Sequence, residues 1–435
     1  MEEEKLNQET AENIEVSETN NNIENPQKTK KKREKFHKRF KDYSTGKKVA
    51  VTAGITAGAL VFLALATVGG YIGYISLQYY RIEDKLNLTN DIISSNNVSA
   101  GSVITKDTEL SILTYNIGFG AYDHDYSFFM DVGKMKDGTT ITGKYAKAIN
   151  YDHARANTTG ALNAVKALNT DFVFIQEIDK ASNRCYNINQ YQEFTDELTD
   201  YDSVYASNFH TAYLAYPFSD PIGMTEAGLG TYSKYNIDEA VRRSYPVDQS
   251  FPTKFFDLDR CFSVSRINLS NGKQLVLANS HMSAYDEGGK IRKAQLTMLK
   301  DFMTEEYTAG NYVVIGGDFN HDLCGSADHE LFPSDELHPD WVASLTAEDM
   351  PTGFSIVSQF FGEDGVTPVP TCRAAEMPYT RVTRADGTTY LSNYTVVIDG
   401  FIVSDNISVV SNYNVDLDFE FSDHNPAKMT FKLDI

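Results

Sequence analysis

Val313–Asp322 reads VVIGGDFNHD, and the fold of the larger part of the chain turns on this stretch. The apolar run Val313–Ile315 passes straight into Gly316 and Gly317, a pattern that predicts a buried strand ending abruptly. Residues two apart on an extended chain project to one side, so Asp318 and Asn320 face the same space at the strand end. The two glycines allow a backbone or a ligand to come close there. On its own the segment reads equally well as a strand running into an Asp-rich turn.

Five further stretches repeat the pattern of an apolar strand closed by a polar residue. SILTYNIGFG ends in Asn116 and glycines, DFVFIQEID carries Glu177, and LVLANSHMSAYD carries His281. TVVIDGFIV holds Asp399 inside an apolar run, and FEFSDHNPAKMTFKL places Asp423 and His424 just before a final strand. Each has an ordinary explanation alone, since Asn and Asp often end strands and His is often a satisfied polar residue. Six such strand ends in one region, in this order, favour a shared site.

In that order the motifs resemble the endonuclease/exonuclease/phosphatase superfamily, the deoxyribonuclease I-like group that includes sphingomyelinases and inositol-polyphosphate 5-phosphatases. The resemblance runs from about Leu110 to the C-terminus. GLGTYSKYNI is similar to the family strand that ends in Ser-Arg or Ser-Lys, here Ser233-Lys234. NIGFGAYDHDYSFFMD and NRCYNINQ resemble a bacterial membrane-anchored subgroup, although Val132-Gly133 replaces a double glycine and an insertion-like stretch follows to about Asp152. The resemblance implies an α/β four-layer sandwich, two facing mixed sheets flanked by helices, with the site at strand ends on one rim.

Phosphoester hydrolysis needs a water nucleophile, neutralisation of the phosphoryl group and help for the leaving oxygen. A hard divalent ion suits this, Mg²⁺ above all, with Mn²⁺ or Ca²⁺ as alternatives. The resemblance implies Glu177 as main metal ligand, Asn116 beside it, and Asp423 completing or ordering the shell. It implies Asp318 as the group that orients or deprotonates water, and Asn320 as a donor to the phosphoryl oxygens. His281 and His424 would bind the phosphate from two sides, with Asp399 fixing the tautomer of His424. Arg155, Arg184, Tyr186, Asn208 and Arg260 are candidates for substrate contact, with structural roles as the plainer reading.

The chain has 435 residues and a net charge of −21. Residues 1–80 hold 12 of its 39 basic and 10 of its 60 acidic residues, leaving about −23 on the rest. Such a field repels phosphate backbones at long range and argues against a non-specific nucleic-acid binder. Residues 1–27 are Glu- and Asn-rich, which predicts disorder. Lys28–Lys41 is a basic run, and Val49–Leu77 is free of charge. That stretch exceeds the ~20 residues of a spanning helix and ends among Tyr71, Tyr74, Tyr79 and Tyr80. Ala64-Leu65-Ala66 resembles a signal-peptidase site, but the region before it is too long for a signal peptide. A basic flank before the helix predicts a cytoplasmic tail over 1–48, a membrane helix over 49–80 and an extracellular remainder. Gly54–Gly58 and Gly69–Gly73 have GxxxG spacing, which permits helix pairing without requiring it.

Residues 81–108 read as a linker and 109–435 as the catalytic domain. Strands are expected at 110–116, 171–177, 202–207, 228–233, 261–268, 274–280, 312–317, 396–403 and 426–433. Helices are expected at 154–168 and 288–305, the second with an apolar stripe of Ile291, Ala294, Met298 and Phe302. Cys185, Cys261, Cys324 and Cys372 lack metal spacing and are either two disulfides or free thiols. His321, Asp322, Asp328 and His329 read as a solvated loop. No GxSxG, P-loop or HExxH motif occurs. Three functions fit: an extracellular nuclease or other phosphodiesterase, a sphingomyelinase-like lipid phosphodiesterase or phosphatase, and a catalytically silent binding protein. Accordingly the partner is a nucleic acid, a lipid headgroup or a small phosphodiester. The sequence alone identifies no exposed aromatic hairpin for bilayer insertion.

Overall fold

The computed structural model describes Arg33 and residues 39–92, 104–284 and 289–435. The acidic tail 1–27, most of the basic run, residues 93–103 and Tyr285-Asp286 of the His-strand motif lie outside the described residues. The chain divides into two units, 1–73 and 74–435. Helix α1, Thr45–Gln78, has 34 residues and is long and apolar enough to cross a membrane. At 1.5 Å per residue it extends about 50 Å, against ~30 Å of bilayer hydrocarbon.

Strands β1 (Leu86–Asn87), β2 (Asn90–Ile92) and β3 (Leu110–Asn116) come next, then a hairpin of β4 (Val132–Lys134) and β5 (Thr140–Thr142). Helix α2 (Tyr151–Leu168), β6 (Phe172–Asp179) and α3 (Gln190–Glu197) follow, then β7 (Asp202–Leu214), β8 (Gly223–Ser233), β9 (Glu239–Ser244), β10 (Cys261–Asn268) and β11 (Gln274–His281). The chain closes with α4 (Lys290–Thr308), β12 (Tyr312–Asp318), β13 (Phe354–Val357), β14 (Asp399–Ser404), β15 (Ile407–Asn414) and β16 (Ala427–Leu433). One seven-stranded sheet has the order β1-β9-β10-β11-β12-β14-β13, and the other β2-β7-β8-β6-β3-β16-β15. Both are mixed, with parallel pairs among the described residues at β11–β12 and β3–β6.

The sheets pack face to face. Leu110, Ile112, Phe172, Phe174, Met429 and Phe431 from one meet Leu275, Leu277, Val314, Phe401 and Val403 from the other. Val313 and Ile315, of opposite parity to Val314, point outward beneath Leu299, Phe302 and Met303 of α4. The second sheet has α2 and α3 on its outer face, through Leu162, Val165 and Phe194. Strands buried on both faces explain why the apolar runs read continuously instead of alternating. The result is the expected four-layer sandwich.

Three expectations change. The buried stripe of α4 is Gln295, Leu299, Phe302, Met303 and Glu306, while Ala294 is exposed. Two polar residues replace apolar ones there because both are satisfied: Gln295 accepts from Ser283 N and donates to Pro246 O, and Glu306 pairs with Arg266. The stretch read as a linker supplies β1 to the edge of one sheet and β2 to the edge of the other. Leu88, between them, packs on Val204 and Ala240 as well as on Leu229 and Cys261. His321 and Asp322 are buried, with Asp322 accepting from Ser326 and Ala327 to hold a turn. All four cysteines are free.

Phe174 is fully buried between the sheets, against Gly316 and Phe401. Phe174→Ala is expected to lower unfolding free energy by about 3–5 kcal/mol, read by chemical denaturation.

Candidate active site

Register alone brings the first three side chains together. His281 is paired with Asp318 across the parallel β11–β12 ladder, and Asp318 with Asp399 across the antiparallel β12–β14 ladder. One row across three adjacent strands thus carries imidazole, carboxylate and carboxylate at the strand ends. Gly317 makes the close approach: with φ at +147°, a Cβ there would stand 1.9 Å from Ser280 O. This glycine therefore lets β12 lie tightly on β11 next to the site.

The opposite sheet contributes from β3, β6 and the loop before β16. Glu177 sits where the β6–β8 register shifts, between Ile175 and Ile178, and has φ +51°. The irregularity turns its carboxylate away from the strand's regular alternation and toward Asn116. Asn116 Nδ2 donates to Asp318 Oδ2 at 3.1 Å and to Glu177 Oε1 at 3.5 Å, while its Oδ1 accepts from Gly118 N at 3.0 Å. Gly118, at φ +50°, brings the turn so close that a Cβ would lie 3.1 Å from Asp423 Oδ1. Ser422 Oγ donates to Asn116 O at 2.8 Å and lies 3.3 Å from Asp423 Oδ1. These contacts gather Asn116, Glu177 and Asp423 on one side of Asp318.

On the other side, Asp318 Oδ2 lies 3.4 Å from His281 Nε2 and 3.8 Å from His424 Nε2. His424 Nδ1 donates to Asp399 Oδ2 at 2.8 Å. Asn320, at φ +50°, donates its backbone N–H to Asp318 Oδ1 at 2.9 Å, and its side-chain amide donates to Met282 O. Asp318, Asp399 and His424 lie close enough to share an ion, as do Asp123, Asp125 and His153 elsewhere.

Burial sets the charge states. It pushes the Asp318 carboxyl up to about 6, against the pull of His424; Asp399 adds to the rise, and hydrogen bonds from Asn320 and Asn116 restrain it. Burial pushes Asp423 up to about 6 as well, with His424 and Arg373 opposing and Glu177 adding to the rise. For His424 burial acts downward, yet Asp399 foremost, with Cys372 and Asp423, holds the imidazole well above its usual range. His281 goes the opposite way, well below its usual range, through burial and then the charges of Arg260, His424 and Arg184. The site therefore pairs a cationic with a neutral imidazole across one carboxylate.

The five substrate-contact candidates divide. Arg184 is buried, donates twice to Asp179 at 2.9 Å, and stacks 3.8 Å over the Phe119 ring. Arg155, near the start of α2, pairs with Glu193 of α3. The Tyr186 hydroxyl donates to Ile149 O. Arg260 and Asn208 differ: Arg260 Nε and Nη1, Asn208 Nδ2 and His281 Nδ1 are buried without a hydrogen-bond partner among the described residues. Arg260 is close enough for its charge to act on His281, and an unsatisfied guanidinium beside a neutral imidazole fits an anion.

Sequence reasoning missed the groups under the site. Gln176 Nε2 donates to Asn279 Oδ1 at 2.8 Å and to Thr114 Oγ1 at 3.0 Å, and Asn279 Nδ2 donates to Gly230 O. Ser422 and the fully buried Arg373, which donates to Tyr122 O and Asp123 O, brace the loops around Asn116 and Asp423. The available signal was a polar residue at an inward-facing position, as in Ala278-Asn279-Ser280.

No curated protein matches the sequence. Among solved structures, an endonuclease/exonuclease/phosphatase from Beutenbergia cavernae has 16% identity and a TM-score of 0.48, covering 75% of this chain and 72% of that one. D. rerio TDP2 complexed with single-strand DNA product has 16% identity and a TM-score of 0.44, covering 75% of this chain and 100% of that one. ANGEL2, a 2',3'-cyclic phosphatase, has 13% identity and a TM-score of 0.47, covering 75% and 96%. The family model described as Endonuclease/Exonuclease/phosphatase family matches residues 113–424. The chain belongs to this family of metal-dependent phosphoester hydrolases.

Proposed function

We propose that the protein is a membrane-anchored, extracellular phosphodiesterase dependent on a divalent cation, Mg²⁺ first among the candidates. The observation that carries this reading is the position of Asp318: one buried carboxylate bonded to Asn116, flanked by His281 and His424, and borne on the strand row that also holds Asp399.

The donor set fits a hard cation. Glu177 and Asp423 repel each other's charge, and Asp423 stays high despite His424 and Arg373 nearby. Glu177 and Asp423 would hold the ion, with the Asn116 amide as hydrogen-bond donor to Glu177. When bound, such an ion supplies charge neutralisation for a phosphoryl oxygen. Asp318, with a pKa near the working range of a general base, orients water and takes its proton. The cationic His424, kept in one tautomer by Asp399, donates to a phosphoryl oxygen where charge builds up. Neutral His281, Arg260 and Asn208 close the anion's other side. Arg184 and Arg155 act structurally in this reading.

The test is hydrolysis by the full-length protein in detergent of duplex DNA, RNA, sphingomyelin, phosphoinositides and an aryl phosphodiester. Turnover on at least one is expected with Mg²⁺ and is lost on chelation. Asp318→Asn is expected to lower kcat by about 10²–10⁴ with Tm little changed. Turnover unchanged in that variant overturns the mechanism. In intact cells, added protease is expected to digest the 110–435 region, and full protection reverses the proposed orientation. Arg184→Leu leaves Asp179 buried without its partner and is expected to cost about 3–5 kcal/mol of stability, measured by denaturation.

A further inference from the structure

The chain leaving α1 does not hang free. His210 Nε2 lies 2.8 Å from Tyr80 O, and the Tyr80 and His210 rings stack at 3.9 Å. Three residues further along β7, Tyr213 N donates to the Tyr74 hydroxyl at 3.2 Å. From His210 to Tyr213 the strand therefore runs back along the end of the helix, from Tyr80 toward Tyr74. The lengths agree: three strand residues cover ~10 Å and the six-residue interval on the other side covers roughly 9 Å or slightly more. Beyond Tyr213 the β7–β8 connection continues from that point.

That connection carries aromatic groups out into solvent. Tyr213 is 43% exposed, Tyr216 59% and Phe218 85%, and Met224 on the return strand is 50% exposed. A second loop lies against the same segment. Phe255 packs edge-on against Tyr79 at 5.4 Å, Lys254 Nζ sits 5.0 Å over the Tyr79 ring, and Phe251 and Phe256 beside them are 62% and 43% exposed. Further bonds fix the exit segment: Arg81 pairs with Asp259 at 2.6 Å, Ile82 N donates to Asp259 Oδ2, and Arg242 donates to Glu83 O.

We infer that the β7–β8 tip (Tyr213, Tyr216, Phe218) and the 251–256 loop form an aromatic rim seated in the interfacial layer of the bilayer that α1 enters. This rests on the reading of α1 as a membrane helix. Tyr74 lies four residues before the helix end at Gln78, so the strand reaches the level of the last apolar turn. Amphipathic rings prefer that depth, and a Lys beside them prefers the headgroups. The rim gives the domain further contacts with the membrane beside its tether, fixing its tilt.

The test uses full-length protein in liposomes with single cysteines labelled by an environment-sensitive fluorophore, at Phe62→Cys, Phe218→Cys, Phe251→Cys and Val366→Cys. The native thiols are replaced by serine or alanine. Labels at 62, 218 and 251 are expected to be quenched several-fold more by spin-labelled lipid than the label at exposed Val366, and less by aqueous iodide. Quenching at 62 but not at 218 or 251 overturns the rim while leaving the anchor standing. Absence of quenching at 62 overturns the anchor and the rim with it.

Discussion

The whole site depends on a polar bridge between two apolar sheets. Gln176 on β6 and Asn279 on β11 face each other across the sandwich, and their amides join at 2.8 Å where neighbouring positions are Leu, Phe and Val. A buried amide left without partners costs on the order of 1–3 kcal/mol, so one relative position of the sheets is favoured over sliding. Further out on the same edges Asn116 donates to Asp318, again across the sheets. The residues that must converge come half from one sheet and half from the other. A displacement of one strand residue, ~3.3 Å, would separate Asp318 from Asn116 entirely.

Convergence concentrates acid. Asp318, Asp399, Asp423 and Glu177 gather around one imidazolium, and burial raises three of the four carboxyls. Such a cluster is unfavourable for folding alone, because buried like charges oppose ionisation. In the proposed function the same arrangement would offer a cation and a phosphoryl group a favourable place to bind. The two histidines take opposite charge states for a local reason: His424 has Asp399 on its ring, while His281 has no partner on Nδ1 among the described residues and faces Arg260 and His424.

The sequence made the strand ends legible because they carry two signals at once, an unbroken apolar run and an abrupt polar stop. VVIGGD folds as read, whereas TVVID is interrupted at Val397-Ile398 so that Asp399 opens β14, and the row they form follows from register. Glu177 was legible as a residue but not as a geometry, since a register shift and a positive φ leave no mark in QEID. Polar residues that earn burial through side-chain bonds were misread wherever hydrophobicity alone was counted. Gln295 and Glu306 on α4 and Asp322 after β12 are all of this kind. Asn208 and Arg260 are the opposite case: only the fold reveals that their donors are buried and unsatisfied.

The segment after α1 was the most misleading, and the reason is physical. Residues 81–108 are polar and rich in Asn and Ser, which is how a linker reads, yet edge strands need only backbone donors and acceptors on one side. Leu86–Asn87 pairs with β9 of one sheet and Asn90–Ile92 with β7 of the other, so the chain straddles the open edge of the sandwich. Arg242, fully buried, ties this staple down by donating to Ile82 O, Glu83 O, Ser207 O and Asp259 O. A segment built into both sheets is part of the fold and not a loose linker. The segment that follows Tyr79 is thereby bonded to both β7 and β9.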